Sequence, residues 1–328
     1  DVERSRGLGD VYKRQYQDYL DFHSKYYHPS NSYIYLYGDM DFAEKLEWID
    51  KEYLSAYDAI TLDSAVKEQA AFSEPKEICF PYPIASSESL MDNTYLSYNT
   101  VVGTVLDKEL YLAFEVLEYA LLNAPGAPLK KALIDAGIGK DIMGSYDNGI
   151  YQPIFSIIAK NANEEQKEEF LSVIRNVLED CVKNGISKKS LLAGINSMEF
   201  KFREADFGAY PKGLMYGLQC LDSWIYDEKE PFMHIEAIET YAFLKEQTKG
   251  RYFEELVQKY LLDNTHVSVV ITKPQKGLNA ENEKALEEKL AAYKATLSKE
   301  EIDSLIADTR HLNCLLYTSP SPRDLSTS

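Results

Sequence analysis

The sequence predicts an α+β fold, an antiparallel-rich sheet packed against several helices, with parts of further units on either side. Three observations predict it. Short β-branched or aromatic runs alternate with longer stretches of helical periodicity. An Asn148-Gly149 pair sits between two apolar runs, the favoured hairpin dipeptide because both positions tolerate positive φ. Finally, one pattern of helix, polar turn and strand occurs twice without a gap: Lys25-Tyr26 leads into Ser32-Tyr-Ile-Tyr-Leu36, and Lys259-Tyr260, 234 positions later, leads into His266-Val-Ser-Val-Val270.

Taken in order, residues 16–27 read as the end of a helix, closed at His28-Pro29 because the residue before proline is pushed out of the α region. Residues 32–37 have strand composition, with Tyr33, Tyr35 and Tyr37 on one face. Asp41 and Glu44 form a capping-box pattern ahead of a helix carrying Phe42, Leu46, Ile49 and Tyr53. Residues 64–77 read as a linker. Strands are expected over 78–82 and 94–102, then a helix from Asp107 with a stripe of Leu110, Phe114, Leu117 and Leu121. The Asn123–Pro128 break interrupts it before Leu129 and Leu133, and Gly137 ends it.

Strands are expected over 138–146 and 150–160, the second an edge strand or bulged because Pro153 cannot donate to a ladder. Asn163 with Gln166 opens a helix through Phe170, Ile174, Val177 and Cys181 to Gly185, and Ser187 opens the next. Helical patterns cover 210–226 and 235–262, a β-branched strand 266–272, and a charged helical region 280–312 with a Ser298/Glu301 box. The two ends, 1–15 and 314–328, lack sustained periodicity and resemble translated library-adapter sequence of metagenomic assemblies; genuine disordered tails are the other reading.

The chain has 328 residues, 45% apolar and 27% charged, ordinary for a globular protein with a substantial core. A net charge of −18 argues against nucleic acid or an anionic membrane surface as partner, and suits basic peptides or plain solubility. Cys79, Cys181, Cys220 and Cys314 form no C-x-x-C pair, so neither a disulfide framework nor a zinc knuckle is expected, and a reduced, cytoplasmic setting is favoured.

Three segments carry a family resemblance: FHSKYYHPSNSYIYLYGDMD, NAPGAPLKKALIDAGIGKDI and FKFREADFGAYPKGLMYGLQCLDSWIYDEKEPF. They resemble the insulinase (pitrilysin) family of zinc peptidases in its presequence-protease branch, over nearly all of 16–312. The resemblance implies a metallopeptidase-type αβ fold in a clamshell of four homologous domains. It places 16–63 at the end of a first, catalytic domain, 78–276 in a complete noncatalytic second domain, and 277–313 at the start of a helical hinge. It also implies zinc in the parent protein, held by an inverted H-x-x-E-H motif in the first domain, with two histidines on one helix face and the glutamate activating water. The implied partners are that catalytic domain, the C-terminal half of the same polypeptide and unstructured peptide substrates.

The histidines His23, His28, His234, His266 and His311 belong to no H-x-x-E-H or H-E-x-x-H pattern. They are expected to be structural, at the surface or partly buried, and His266 packed in its strand. Where the second domain's long helix should carry the motif, LAFEVLEYALL offers Glu115 and Glu118 without histidine, read as the solvated face of a helix. Cys181 and Cys220 read as small core residues. No catalytic, cofactor-binding or metal residue is therefore assigned, and no metal is expected on this chain. The function expected is that of a piece of a zinc-dependent metalloendopeptidase that walls a peptide chamber. The alternative is a noncatalytic scaffold or assembly relative of the same family.

Overall fold

The computed structural model describes residues 8–318 apart from Asp206, with the side chains of 16–313. Its contacts divide the chain into two compact units, one comprising residues up to Tyr27 and from Leu278 onward, the other His28–Gly277.

The first unit is helical. Helix α1 (Leu8–Tyr26) starts within the stretch set aside as a tail, and its Lys25 ammonium lies 4.8 Å from the centre of the Tyr26 ring.

In the second unit the His28 Nδ1 accepts from Ser30 N at 3.1 Å, so the chain turns sharply at Pro29. Residues 32–37 are extended but pair with no strand among the described residues, so the expected strand is corrected to an unpaired extended segment. Its tyrosines supply the reason. Tyr33 meets Trp224 at 4.7 Å, Tyr37 meets Tyr216 at 6.2 Å, and Tyr35 lies over Gly217, where a Cβ would come within 2.9 Å of its ring. Aromatic packing on helix α7 (Lys212–Trp224) takes the place of a ladder. Helix α2 (Phe42–Glu52) begins where Asp41 accepts from Glu44 N at 3.1 Å.

The sheet contains β1 (Lys76–Ile84), β2 (Thr94–Val101), β3 (Asp141–Asp147), β4 (Ile154–Ala162) and β5 (Val267–Lys276), in the order β1-β5-β2-β4-β3. Only β1 and β5 run parallel; every other pair is antiparallel. Leu96, Phe155, Ile157, Ala159 and Ile271 alternate into the core, as a period of two requires. The expected hairpin forms, with β3 antiparallel to β4, but its details differ. Asp147 pairs with Ile154, so Asn148 and Gly149 begin a six-residue loop and neither has positive φ. Strand β4 lies between β2 and β3, not at an edge, but it is bulged as the other alternative expected, its register on β2 slipping between Thr94 and Leu96; Pro153 precedes it, where its missing N–H costs no ladder bond.

Helix α3 (Lys108–Glu118) is capped by Asp107, which accepts from Leu110 N at 2.9 Å. The expected stripe of Leu110, Phe114 and Leu117 is buried, but so are Leu112, Ala113 and Val116 on its other side. A π-helical turn follows, closed by Ala124 N to Tyr119 O at 2.7 Å, before α4 (Pro128–Asp135). Asn163 and Gln166 form the expected capping box at the start of α5 (Lys167–Asn184), which ends at Gly185 with φ +92°. Helix α6 (Lys188–Glu204) starts at Ser187 as expected. The expected 235–262 helix is broken at 248–251 into α8 (Ile238–Gln247) and α9 (Tyr252–Leu256), and a second π-helical turn leads into β5. The Lys259 ammonium stands 4.7 Å from the centre of the Tyr260 ring, as Lys25 stands 4.8 Å from that of Tyr26, but of the two expected closing strands only β5 is paired among the described residues.

Residues 278–318 belong to the first unit and form α10 (Leu278–Thr296) and α11 (Lys299–Thr318), separated by the reciprocal Ser298/Glu301 bonds of 2.9 and 3.2 Å.

Close packing of the π-helical turn after α3 against the sheet is tested at Gly144 of β3. A Cβ there would lie 2.7 Å from Leu122 Cδ1, and Leu122 is buried with nowhere to retreat. Gly144→Ala is expected to cost about 1–3 kcal/mol in urea unfolding, although alanine is ordinarily the better residue in a strand.

Candidate functional site

A cleft of about 380 Å³ opens between α3, α6, α7 and the segment leading into α8. Its walls are Tyr111, Leu112 and Glu115 from α3, Met198, Lys201 and Phe202 from α6, and Tyr216 and Gln219 from α7, with Phe207, His234, Ala237 and Tyr241 completing them. The placement follows from α3. A helix apolar on both flanks cannot turn its remaining side chains to water, so Tyr111 and Glu115 project between helices.

The site is rich in polar groups held in poor solvent. Glu115 Oε1 accepts from Asn148 Nδ2 at 2.8 Å. Burial pushes the Glu115 carboxyl up to about 7; the Asn148 bond opposes this, and the charges of Glu118 and Asp222 add to it. Burial likewise pushes Asp222 up to about 6, against the bond it accepts from Tyr111 Oη at 3.3 Å. The His234 ring stacks on Tyr111 with centroids 4.0 Å apart. Burial holds its pKa down to about 4, opposed by a hydrogen bond to the Val105 backbone, so the ring is neutral. Three buried polar atoms, His234 Nε2, Gln219 Oε1 and Tyr146 Oη, have no hydrogen-bond partner among the described residues.

Glu115 is therefore half-buried in the cleft and not on a fully solvated face, which narrows that expectation; Glu118 stays partly exposed. The run LYLAFEVLEYALL carried the signal, since so dense an apolar stretch buries both flanks of a helix and draws its lone acids between neighbouring elements. Asp222, Gln219 and Tyr111 went unmarked, because ordinary helical spacing does not say which helices converge. Asn148, read as a turn former, instead reaches Glu115 from its loop.

The other histidines lie elsewhere. His23 stacks on Tyr27 at 4.4 Å, and His311 is exposed. His28 serves as a cap, and His266 is buried edge-on to Phe72 at 4.6 Å. Cys181 and Cys220 are buried, and burial raises both thiols, Cys181 to about 11, which leaves them poor nucleophiles. These residues do not fit zinc. Glu115 is bound by Asn148, Glu118 accepts from Asn123 Nδ2 at 3.1 Å, and no three His, Cys, Asp or Glu side chains gather into a metal-holding group among the described residues.

Comparison with known proteins agrees with a noncatalytic domain. Residues 14–198 match the family described as the peptidase M16 inactive domain, and the chain belongs to that family. Protein HypA of Clostridium perfringens is 43% identical over 310 residues, covering 94% of this chain and 32% of that protein. Presequence protease 1, chloroplastic/mitochondrial, of Arabidopsis thaliana is 29% identical over 324 residues, covering 96% of this chain and 30% of that protein. The chain thus spans about a third of the length of these relatives. The crystal structure of a protease from Helicobacter pylori shares the fold with a TM-score of 0.58 at 15% identity, covering 79% of this chain and 58% of that one. An inactive M16 domain is a noncatalytic part of a larger multidomain peptidase, in a family that is typically zinc-dependent.

The buried carboxyl makes a pH prediction. Its folded pKa exceeds the ordinary value of 4.5, so the folded chain holds this proton more tightly than the unfolded chain. Stability from Glu115 is full below about pH 4.5 and declines as the pH rises to about 7. Asp222 acts in the same direction, while His234 acts oppositely, its contribution being lost as the pH falls from 6.5 towards 4. Glu115→Gln removes the first of these losses. Compared with wild type, its unfolding free energy is expected to gain about 1–3 kcal/mol between pH 5 and 8, read from denaturant titrations at both.

Proposed function

We propose that this chain forms part of the wall of a peptide-enclosing chamber in a zinc-dependent metalloendopeptidase of the presequence-protease branch. In this reading zinc and the catalytic residues belong to another domain of the same polypeptide. One observation carries the assignment. Helix α3, the long helix where an inverted zinc motif would lie, has Glu115 and Glu118 but no histidine, and binds both acids to asparagines. Such a helix supplies shape and charge, not a metal-bound water.

The two presequence-type features of the reading, peptide substrates and a catalytic partner domain, are supported by the similarity to presequence protease 1 and by the one-third coverage. The net charge of −18 supports a preference for basic peptides through long-range steering.

The test compares this chain with the longer protein encoded around it. The longer protein is expected to cleave unstructured basic peptides in a chelator-sensitive reaction, and this chain alone is expected to cleave none. A longer protein with no such activity under zinc supports the scaffold role and overturns the peptidase reading; chelator-sensitive cleavage by this chain alone overturns the assignment of a noncatalytic wall.

A further inference from the structure

We infer that the cleft between α3, α6, α7 and the segment before α8 is a binding site for a guanidinium group, as carried by free arginine or by an arginine side chain of a peptide. The inference stands on the cleft itself and holds whether or not the parent protein cleaves peptides.

The buried polar atoms that lack partners in this cleft are acceptors. His234 is only 8% exposed, and its Nε2 faces no donor among the described residues. Because the ring is neutral and bonded to the Val105 backbone through its other nitrogen, Nε2 carries a lone pair and no proton. Gln219 Oε1 is a second unmatched acceptor in the same wall. The Glu115 carboxylate adds a third, with only Asn148 bonded to it among the contacts above. An occupant that offers donors on several sides is required, since each buried acceptor left unmatched costs about 1–3 kcal/mol.

The walls narrow the choice further. Tyr111, Phe202, Phe207, Tyr216 and Tyr241 make most of the lining aromatic. A guanidinium is planar, carries five donors, is weakly hydrated and stacks flat on aromatic faces; an ammonium is compact and strongly hydrated. An anion would meet the carboxyls of Glu115 and the neighbouring Asp222, with only the exposed Lys201 as a cation in the lining among the described residues. Apolar ligands would leave Nε2 and Oε1 unmatched.

Binding is coupled to the charge on Glu115. That carboxyl is faced by Glu118 on its own helix, Asp222 on α7, Asn148 from its loop, Tyr146 on β3, Tyr241 on α8, His234 before α8, and the exposed Lys201 of α6. A cation favours the ionised form, so arginine uptake releases a proton and tightens as the pH rises from 6 to 8.

Calorimetric titration of the chain at pH 6 and pH 8 with L-arginine, the tripeptide Ala-Arg-Ala, L-lysine and L-citrulline decides it. Citrulline has the shape of arginine without the charge. The expected result is that an arginine probe binds roughly tenfold or more tightly than citrulline and lysine, and more tightly at pH 8. Glu115→Gln and Gln219→Leu should each weaken arginine roughly tenfold with the thermal midpoint at pH 8 kept or raised. Tighter tripeptide than free arginine identifies a peptide side-chain site, and the reverse a free amino-acid site. Equal binding of citrulline, no heat at roughly 10 mM arginine, tighter binding at pH 6, or unchanged binding in both folded variants overturns the inference.

Discussion

The larger unit depends on one constraint: α3 is buried on both flanks, and only the face of Lys108, Tyr111, Glu115 and Glu118 stays partly open. Phe114 meets Phe155 of β4 at 5.7 Å and Tyr260 at 5.7 Å on the sheet side, while Leu112, Ala113 and Val116 are buried as well. A helix so placed fixes the distance between the sheet and the outer helices. It also leaves Tyr111 and Glu115 half-buried in the cleft, so their neighbours must be polar. Asn148 at Glu115 and Asp222 at Tyr111 meet that demand in part. The unmatched Nε2 of His234 and Oε1 of Gln219 are what remains of it.

Much of the framework was legible in the amino-acid order, because its signals are local. Asp41, Asp107, Ser187 and the Asn163/Gln166 pair each cap the helix start assigned to them, and the bonds that do so span three residues. Strand cores were legible for the same reason. What failed depended on distant partners. Tyr33, Tyr35 and Tyr37 have every local mark of a strand, yet a strand needs a neighbour, and their rings settle on α7, where Gly213 and Gly217 leave room. Asn148-Gly149 has the local mark of a tight turn, but the register that begins at Asp147 and Ile154 needs six residues between the strands.

The candidate site was the least legible part. Its residues come from four stretches far apart in sequence, and none has a diagnostic spacing. Glu115 looked solvated because charged residues usually are, and only the apolar density around it pointed inward. His234 looked ordinary for the same reason, its environment being assembled by Tyr111 from more than a hundred positions away. Membership of the M16 inactive-domain family accounts for the absence of a metal motif from α3 but does not dictate what fills that place instead. Here it is filled by a neutral histidine, an amide and two carboxyls of raised pKa, grouped under aromatic side chains.

The most direct measurement of this account is a carbon-13 NMR titration of the Glu115 side-chain carboxyl, assigned by comparison with a Glu115→Gln sample. Burial of the Glu115 carboxyl between the helices predicts a midpoint near 7. A midpoint near the ordinary value of 4.5 would place that carboxyl in water and contradict the packing on which the cleft, its acceptors and its proposed occupant all rest.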